Sequence, residues 1–279
     1  MLSNWLILSI VAGISSIFFN MANRQTLKNG HDSTVYAWLF EFVRLVIFVV
    51  LLPIGYYFHF SWQNLGLLLA LGLSELACVY IYMKMHSHAE LSVSSIISRL
   101  RVIIIPIFAY LFLAERLSHT QYLGIIIIFV GCMVVVGMKS VRGTKGLWYS
   151  LGFVLLNSIS AILLKSSSSI ASTSVVSVAF TLPSALLIPV IMRSALPRIK
   201  LSALPILKPT IFAALFNVVT MYTLVSALKL ASAGQVNSVF LGVTSLSVIV
   251  GIFHFKEKEH IWIKIIGGIL TTIGIVLLT

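Results

Sequence analysis

Glu41, Arg44, Glu75, Arg99 and Arg101 all stand inside long apolar runs. Carboxylates and guanidiniums so placed can neutralise one another, hold a proton, or bind an opposite charge on a ligand. Left alone in hydrocarbon, each costs several kcal/mol. Glu41 and Arg44 are spaced i,i+3, which puts them on one helix face within pairing distance. Counting inward from the nearest polar turns at about 1.5 Å per helical residue puts Glu41, Arg44, Glu75 and Arg99 between roughly 10 and 16 Å deep. Four charges thus converge on one layer. The layer is either a set of ion pairs locking segments two, three and four together or a polar cavity that takes a substrate or a proton. Glu75 and Arg99 lie on consecutive segments joined by the short turn from His86 to Glu90, and are expected to face each other.

Other polar residues reach the same depth. Asn157 in segment six and Asn217 in segment eight count to roughly 15 and 18 Å, where a lone Asn either bridges two helices or faces a ligand. Tyr80 and Tyr222 line a cavity or pack as aromatics. Gln235, Ser238, Gly242 and Ser245 make a small-polar stripe that suits close packing or binding. The binding or coupling candidates are therefore Glu41, Arg44, Glu75, Tyr80, Arg99, Asn157, Asn217, Tyr222 and Gln235. Gly124 with Gly131, and Gly267 with Gly274, sit one heptad apart and predict close helix contact, between halves of the chain or between protomers. Pro106 and Pro183 each remove a backbone hydrogen bond, giving a kink or a hinge.

The elements that must carry these residues follow from composition. Of 279 residues 59% are hydrophobic and 9% charged, which excludes a soluble domain and predicts an all-α integral membrane protein. Apolar runs of about 17 to 25 residues match a ~30 Å hydrocarbon core, and they lack the alternation of a membrane barrel. Ten spans are expected, at about 4–23, 34–58, 62–85, 91–113, 119–138, 147–165, 172–192, 205–228, 232–254 and 261–278. The stretch 193–204 is the longest polar connection, and Ser166 to Ser169 read as the turn after span six. The run from Trp5 is too long for a signal-peptide core and is expected to remain as the first membrane helix. The net charge of +12 sits mostly at span ends, where Lys and Arg meet lipid headgroups, so nucleic acid is not an expected partner. Cys78 and Cys132 lie in apolar segments without ligand spacing, and neither a disulfide, a metal nor a cofactor is expected. Gly143 to Gly146 lack the upstream glycine of a phosphate loop; nothing else points to an enzyme.

A repeat runs through the chain at about half its length. With an offset of 142, Glu75 falls on Asn217, Tyr80 on Tyr222, Ala89 on Ala231 and Glu115 on Glu257; with 143, Trp5 falls on Trp148, Ser15 on Ser158, Gly124 on Gly267 and Gly131 on Gly274. Agreement on one offset along both halves divides the chain into two five-helix repeats, 1–141 and 142–279. Because five is odd, the second copy must enter the membrane inverted, the plan of many secondary transporters with sites at the midplane. Five plus five spans, Arg44 in span two, and the sequence Phe112-Leu113-Ala114-Glu115-Arg116-Leu117-Ser118 followed by Gly124 resemble the EamA-type branch of the drug/metabolite transporter superfamily, from Trp5 to Leu278. The second copy departs from that pattern with Lys256-Glu257-Lys258-Glu259 and one extra residue before Gly267, and Asn-rich signatures of nucleotide-sugar transport are not evident.

The resemblance implies a multi-pass membrane transporter, in the inner or plasma membrane of the cell if the chain is prokaryotic, a monomer or homodimer, working by alternating access on a small-molecule substrate with protons as candidate coupling ions. Glu and Arg together in one cavity suit an amino-acid-like zwitterion first, an amine second, an anion third. The alternative is a component of a lipid-linked-sugar flippase or a membrane interaction protein that transports nothing. The resemblance also implies cytosolic termini. Most Lys and Arg, from Arg24 and Lys28 to Lys264, lie at the opposite end from the termini, against Arg116, Lys165 and Lys229 at the near end, and by the positive-inside rule that bias puts the termini outside.

Overall fold

The computed structural model describes residues 3–28, 32–88, 97–136, 144–191, 196–246 and 261–278. Over these the chain is helical, with ten helices and no strand beyond one isolated bridge. They are α1 (Asn4–Lys28), α2 (Ser33–Val50), α3 (Trp62–His88), α4 (Arg101–Leu113), α5 (His119–Val136), α6 (Thr144–Ile170), α7 (Thr173–Ile191), α8 (Leu196–Leu230), α9 (Ala233–Ser245) and α10 (Ile261–Leu277). Five contain stretches long and apolar enough to cross a membrane: Asn4–Asn23, Trp62–Tyr82, Leu147–Ile170, Thr173–Ile191 and Pro205–Leu230. Arg101–Leu113, His119–Val134 and Ile265–Leu277 are shorter apolar helices.

Local chemistry sets the ends, and it corrects several expected boundaries. Asp32 caps α2, accepting from the N–H groups of Thr34 and Val35 at 2.9 and 3.2 Å. The helix stops at Val50 rather than near 58, because Pro53 cannot donate to it and Gly55 turns the chain at φ +62°. Ser166 to Ser169 are not a turn but the last full turn of α6. There Ser168 and Ser169 return hydrogen bonds to the carbonyls of Lys165 and Ser166 at 2.7 Å, a way for hydroxyls to be satisfied within a helix. Residues 196–204, expected in a connection, open α8, where Pro197 is tolerated in the first turn. Span four does not run unbroken from 91: the chain turns at Arg99 and Leu100, whose carbonyls accept i+3 bonds from Val102 and Ile103 at 3.0 Å, and α4 begins at Arg101. α4 ends on Ala114 at φ 54°. The 141/142 repeat boundary and the Lys256 to Glu259 motif lie outside the described residues.

The surface is apolar and the interior is rich in small hydroxyls, the reverse of a soluble fold. Ile7, Val11, Ile14 and Phe18 form an exposed stripe on α1, and Ile266, Ile269, Ile273 and Val276 another on α10, as a bilayer solvent requires. Trp62, Trp148 and Trp262 stand exposed within the first five residues of α3, α6 and α10, the place of an interfacial aromatic belt. Inside, Ser158, Thr210 and Thr271 bond the carbonyl one turn back at 2.6 to 2.9 Å.

Most packing partners lie across the two halves of the chain. α1 packs on α8 and α9, α2 on α7 and α8, α3 on α6 and α7, α4 on α6 and α9, and α5 on α10 and α9. At the α5–α10 crossing a Cβ on Gly124 would come within 2.8 Å of the Gly274 carbonyl, and one on Gly131 within 2.8 Å of the Gly267 carbonyl. These glycines make contact between the halves, and the reversed order of the pairs shows that α5 and α10 cross antiparallel. One end of the bundle is tied by direct bonds: His59 donates to the Ile170 carbonyl and Ser172 to that of Tyr57 at 3.0 and 2.9 Å. There, too, Lys229 reaches the Tyr57 hydroxyl at 3.1 Å.

Candidate functional site

Arg44 is the centre of the interior. Its Nη2 donates to Glu41 Oε2 at 2.9 Å, one turn back on α2, and lies 3.9 Å from Glu75 Oε1 on α3. Its Nη1 donates to Asn217 Oδ1 on α8 at 2.9 Å. Phe40 and Phe180 stand 4.9 and 5.7 Å from the guanidinium carbon, so the cation is also held by ring faces, one of them on α7. Glu41 is 3% exposed and Arg44 4%; the Glu75 side chain is 12% exposed. Two carboxylates thus share one guanidinium, and Glu41 has the shorter contact. Among the described residues Glu75 has no hydrogen bond recorded with any neighbour, and the cluster carries one more carboxylate than cation.

A close helix crossing sets the position of Glu75. One turn earlier on α3, Gly72 faces α7: a Cβ there would collide with the Ala179 carbonyl and with Pro183 Cγ at 2.5 Å. Glycine lets the two backbones meet, and Pro183 fills the space as a packing wedge inside a continuous α7. On the neighbouring face Ser74 Oγ meets Ser160 Oγ of α6 at 2.7 Å, and Cys78 Sγ lies 3.6 Å from the same hydroxyl.

A second cluster gathers where span four is broken. Arg101 Nη1 donates to Asn157 Oδ1 at 2.6 Å, its Nε donates to the Ser98 carbonyl at 3.0 Å, and Phe153 lies 5.5 Å from its guanidinium carbon. Arg99 Nε is buried without a hydrogen-bond partner. No ion pair joins either arginine to a carboxylate among the described residues. The expected pair of Glu75 with Arg99 does not form; Glu75 pairs with Arg44. Depth along the membrane predicts the layer, but not which helices adjoin: α3 packs on α6 and α7, while α4 packs on α6 and α9.

Glu41, Arg44, Glu75 and Asn217 are therefore brought together, and Asn157 is brought to Arg101 instead. Tyr80 is 45% exposed, on the face that carries exposed Leu69 and Leu73, roughly 140° around α3 from Glu75 at about 100° per residue. Tyr222 has the same spacing from Asn217 on α8. Gln235 stands apart, in the first turn of α9, where its amide donates to the Leu278 carbonyl at 3.2 Å and its oxygen accepts from the cap residue Ser232 at 2.9 Å. The residue that sequence reasoning undervalues is Arg101; the signal for it was the pairing of an intramembrane arginine with Asn157 at like depth.

An all-helical chain with an apolar exterior and a charged interior is a multi-pass integral membrane protein. Residues 3–137, the first half of the chain, match the model of the EamA-like transporter family and are similar to it. No curated protein matches the chain. Among solved structures 28 chains match. One, described only as "Crystal structure of protein", is 14% identical with a TM-score of 0.79, covering 99% of this chain and 98% of the other. At that identity the likeness speaks to fold alone.

Proposed function

We propose that the protein is a secondary transporter that moves a small polar metabolite, an amino-acid-like zwitterion, by alternating access of two inverted five-helix repeats, 1–141 and 142–279. The observation that carries the reading is the division of interior charge. The Glu41–Arg44–Glu75 cluster has an excess carboxylate to receive an ammonium group, and Arg101 is held by an amide and a carbonyl rather than by an acid. A molecule with both charges complements both, and a charged group that stays in hydrocarbon without a partner costs several kcal/mol. Glu75, the carboxylate with the looser contact, is the place for a coupling proton when no ammonium is bound.

The packing supports the inverted arrangement. Exchanging each helix with the one five places on turns α1 on α8 into α6 on α3, α1 on α9 into α6 on α4, and α2 on α8 into α7 on α3, all of them contacts that occur, as a two-fold relation of the halves about any axis requires. The antiparallel crossing of α5 and α10 is the crossing that inversion requires. Alternating access would part the single hydrogen bonds that tie one end, each worth about 1 kcal/mol net.

The test is uptake into liposomes holding the purified protein, with radiolabelled alanine, propylamine and propionate offered in turn, with and without an imposed pH gradient. Accumulation of alanine above both single-charge compounds, enhanced by the gradient, is expected. Uptake of propylamine or propionate alone would replace the zwitterion with that class.

A further inference from the structure

Among the described residues Arg99 and Arg101 present a problem of charge that no neighbouring carboxylate answers. They stand at the turn where span four breaks, two residues apart, beside α6, and no carboxylate pairs with either among the described residues. The protein has gone some way to fix one of them: Asn157 takes Nη1, the Ser98 carbonyl takes Nε, and the ring of Phe153 lies against the guanidinium. The other arginine has its Nε buried and without a hydrogen-bond partner, as Arg44 does. A guanidinium offers five donors in a planar fork, matched to a carboxylate or phosphate oxygen pair. Two such forks two residues apart, one immobilised and the other with its Nε unbonded, are suited to an oxyanion.

Resting on the transport reading above, we propose that Arg99 and Arg101 form the pole that takes the carboxylate of the substrate, with Asn157 as the positioning residue for Arg101. Glu75 and Asn157 both flank the α3–α6 contact, where Cys78, one turn beyond Glu75, meets Ser160, one turn beyond Asn157. The two poles therefore share that contact, α3 carrying Glu75 and α6 carrying Asn157. An ammonium at Glu75 and a carboxylate at Arg101 place a zwitterion across it, beside the Ser74–Ser160 hydroxyl contact.

Binding, rather than transport, separates this proposal from the one it rests on. Propionate, propylamine and alanine differ in their charged groups and little else, and their binding to purified wild type is read by thermal shift in neutral phosphatidylcholine nanodiscs. Arg99→Gln or Arg101→Gln is expected to weaken propionate and alanine by about tenfold to a hundredfold, the worth of a charge-assisted hydrogen bond, and to leave propylamine unchanged. Asn157→Ala is expected to reduce alanine binding while Arg101→Lys, which keeps charge but loses the fork, recovers only part of it. Arg99→Lys serves if the glutamine variants fail to fold. Alanine and propionate binding that survives all of these substitutions overturns the carboxylate pole even if transport is observed. Loss of transport with the arginine-dependent binding intact would overturn the transport reading and leave the pole standing. Inorganic phosphate and phosphatidylglycerol nanodiscs are the remaining arms: an arginine-dependent shift with phosphate or the anionic lipid, and none with propionate, would make the pole a phosphate site and overturn the proposal.

Discussion

Arg44 is committed to the protein more fully than any other charged side chain described, with hydrogen-bond acceptors on α2 and α8, a carboxylate of α3 beside it and a ring of α7 against it. Its replacement should therefore disturb folding before it disturbs specificity. Arg44→Gln leaves Glu41 buried beside a neutral amide, and breaking a buried pair in this way costs about 3 to 5 kcal/mol. A lower melting temperature and a smaller monodisperse fraction on size exclusion are expected, and the double variant Glu41→Gln with Arg44→Gln should be the more stable of the two. If Arg44→Gln alone is as stable as wild type, the residue is not the structural hub. At this scale the sequence was informative about Glu41 and Arg44, because i,i+3 spacing settles a contact within one helix. It was informative about the Glu75 layer through depth. It misassigned the partner of Glu75, since which neighbouring helix supplies a charge depends on packing that no local spacing encodes.

Helices were legible where apolar length alone decides them, and least so where one polar or special residue does. Pro53 and Gly55 ended α2 early, and four serines that look like a turn continued α6 because each hydroxyl can bond a carbonyl of its own helix. The heptad-spaced glycines predicted close contact correctly without saying between which surfaces, and the structure places them between α5 and α10. That gives a graded prediction. A methyl at Gly124 meets the Gly274 backbone at 2.8 Å and Leu277 Cβ at 3.1 Å, whereas at Gly152 the nearest atom is Ile81 Cδ1 at 3.8 Å and at Gly66 there is none within 4 Å. Gly124→Ala should cost about 1 to 3 kcal/mol through overpacking, and Gly66→Ala and Gly152→Ala should be neutral or gain up to about 1 kcal/mol from helix propensity. Thermal melts of the three variants side by side check it. Equal effects at Gly124 and Gly66 would mean that the α5–α10 crossing is not tight.

For the whole molecule the question is how the two halves sit in the bilayer, and one experiment addresses both inversion and orientation. With the 142-residue offset Ser118, at the end of span four, corresponds to His260 before span ten. An inverted repeat puts equivalent positions on opposite sides of the membrane, and a parallel repeat puts them on the same side. The charge bias adds a direction: Lys and Arg crowd the end that holds the connections 29–31, 137–143 and 192–195, while Arg116, Lys165 and Lys229 are alone at the other. Positive charge resists translocation, so the crowded end should be cytosolic and the termini outside. Cysteines introduced as Ser118→Cys and His260→Cys can be read with a membrane-impermeant maleimide on intact cells. The native Cys78 and Cys132 are buried, which keeps the background low. Labelling of Ser118→Cys on intact cells, with His260→Cys labelled only after permeabilisation, is the expected result. The reverse pattern would keep the inversion and place the termini in the cytosol, overruling the charge bias. Labelling of both from one side would end the inverted arrangement, and with it the alternating-access reading built on two opposed halves.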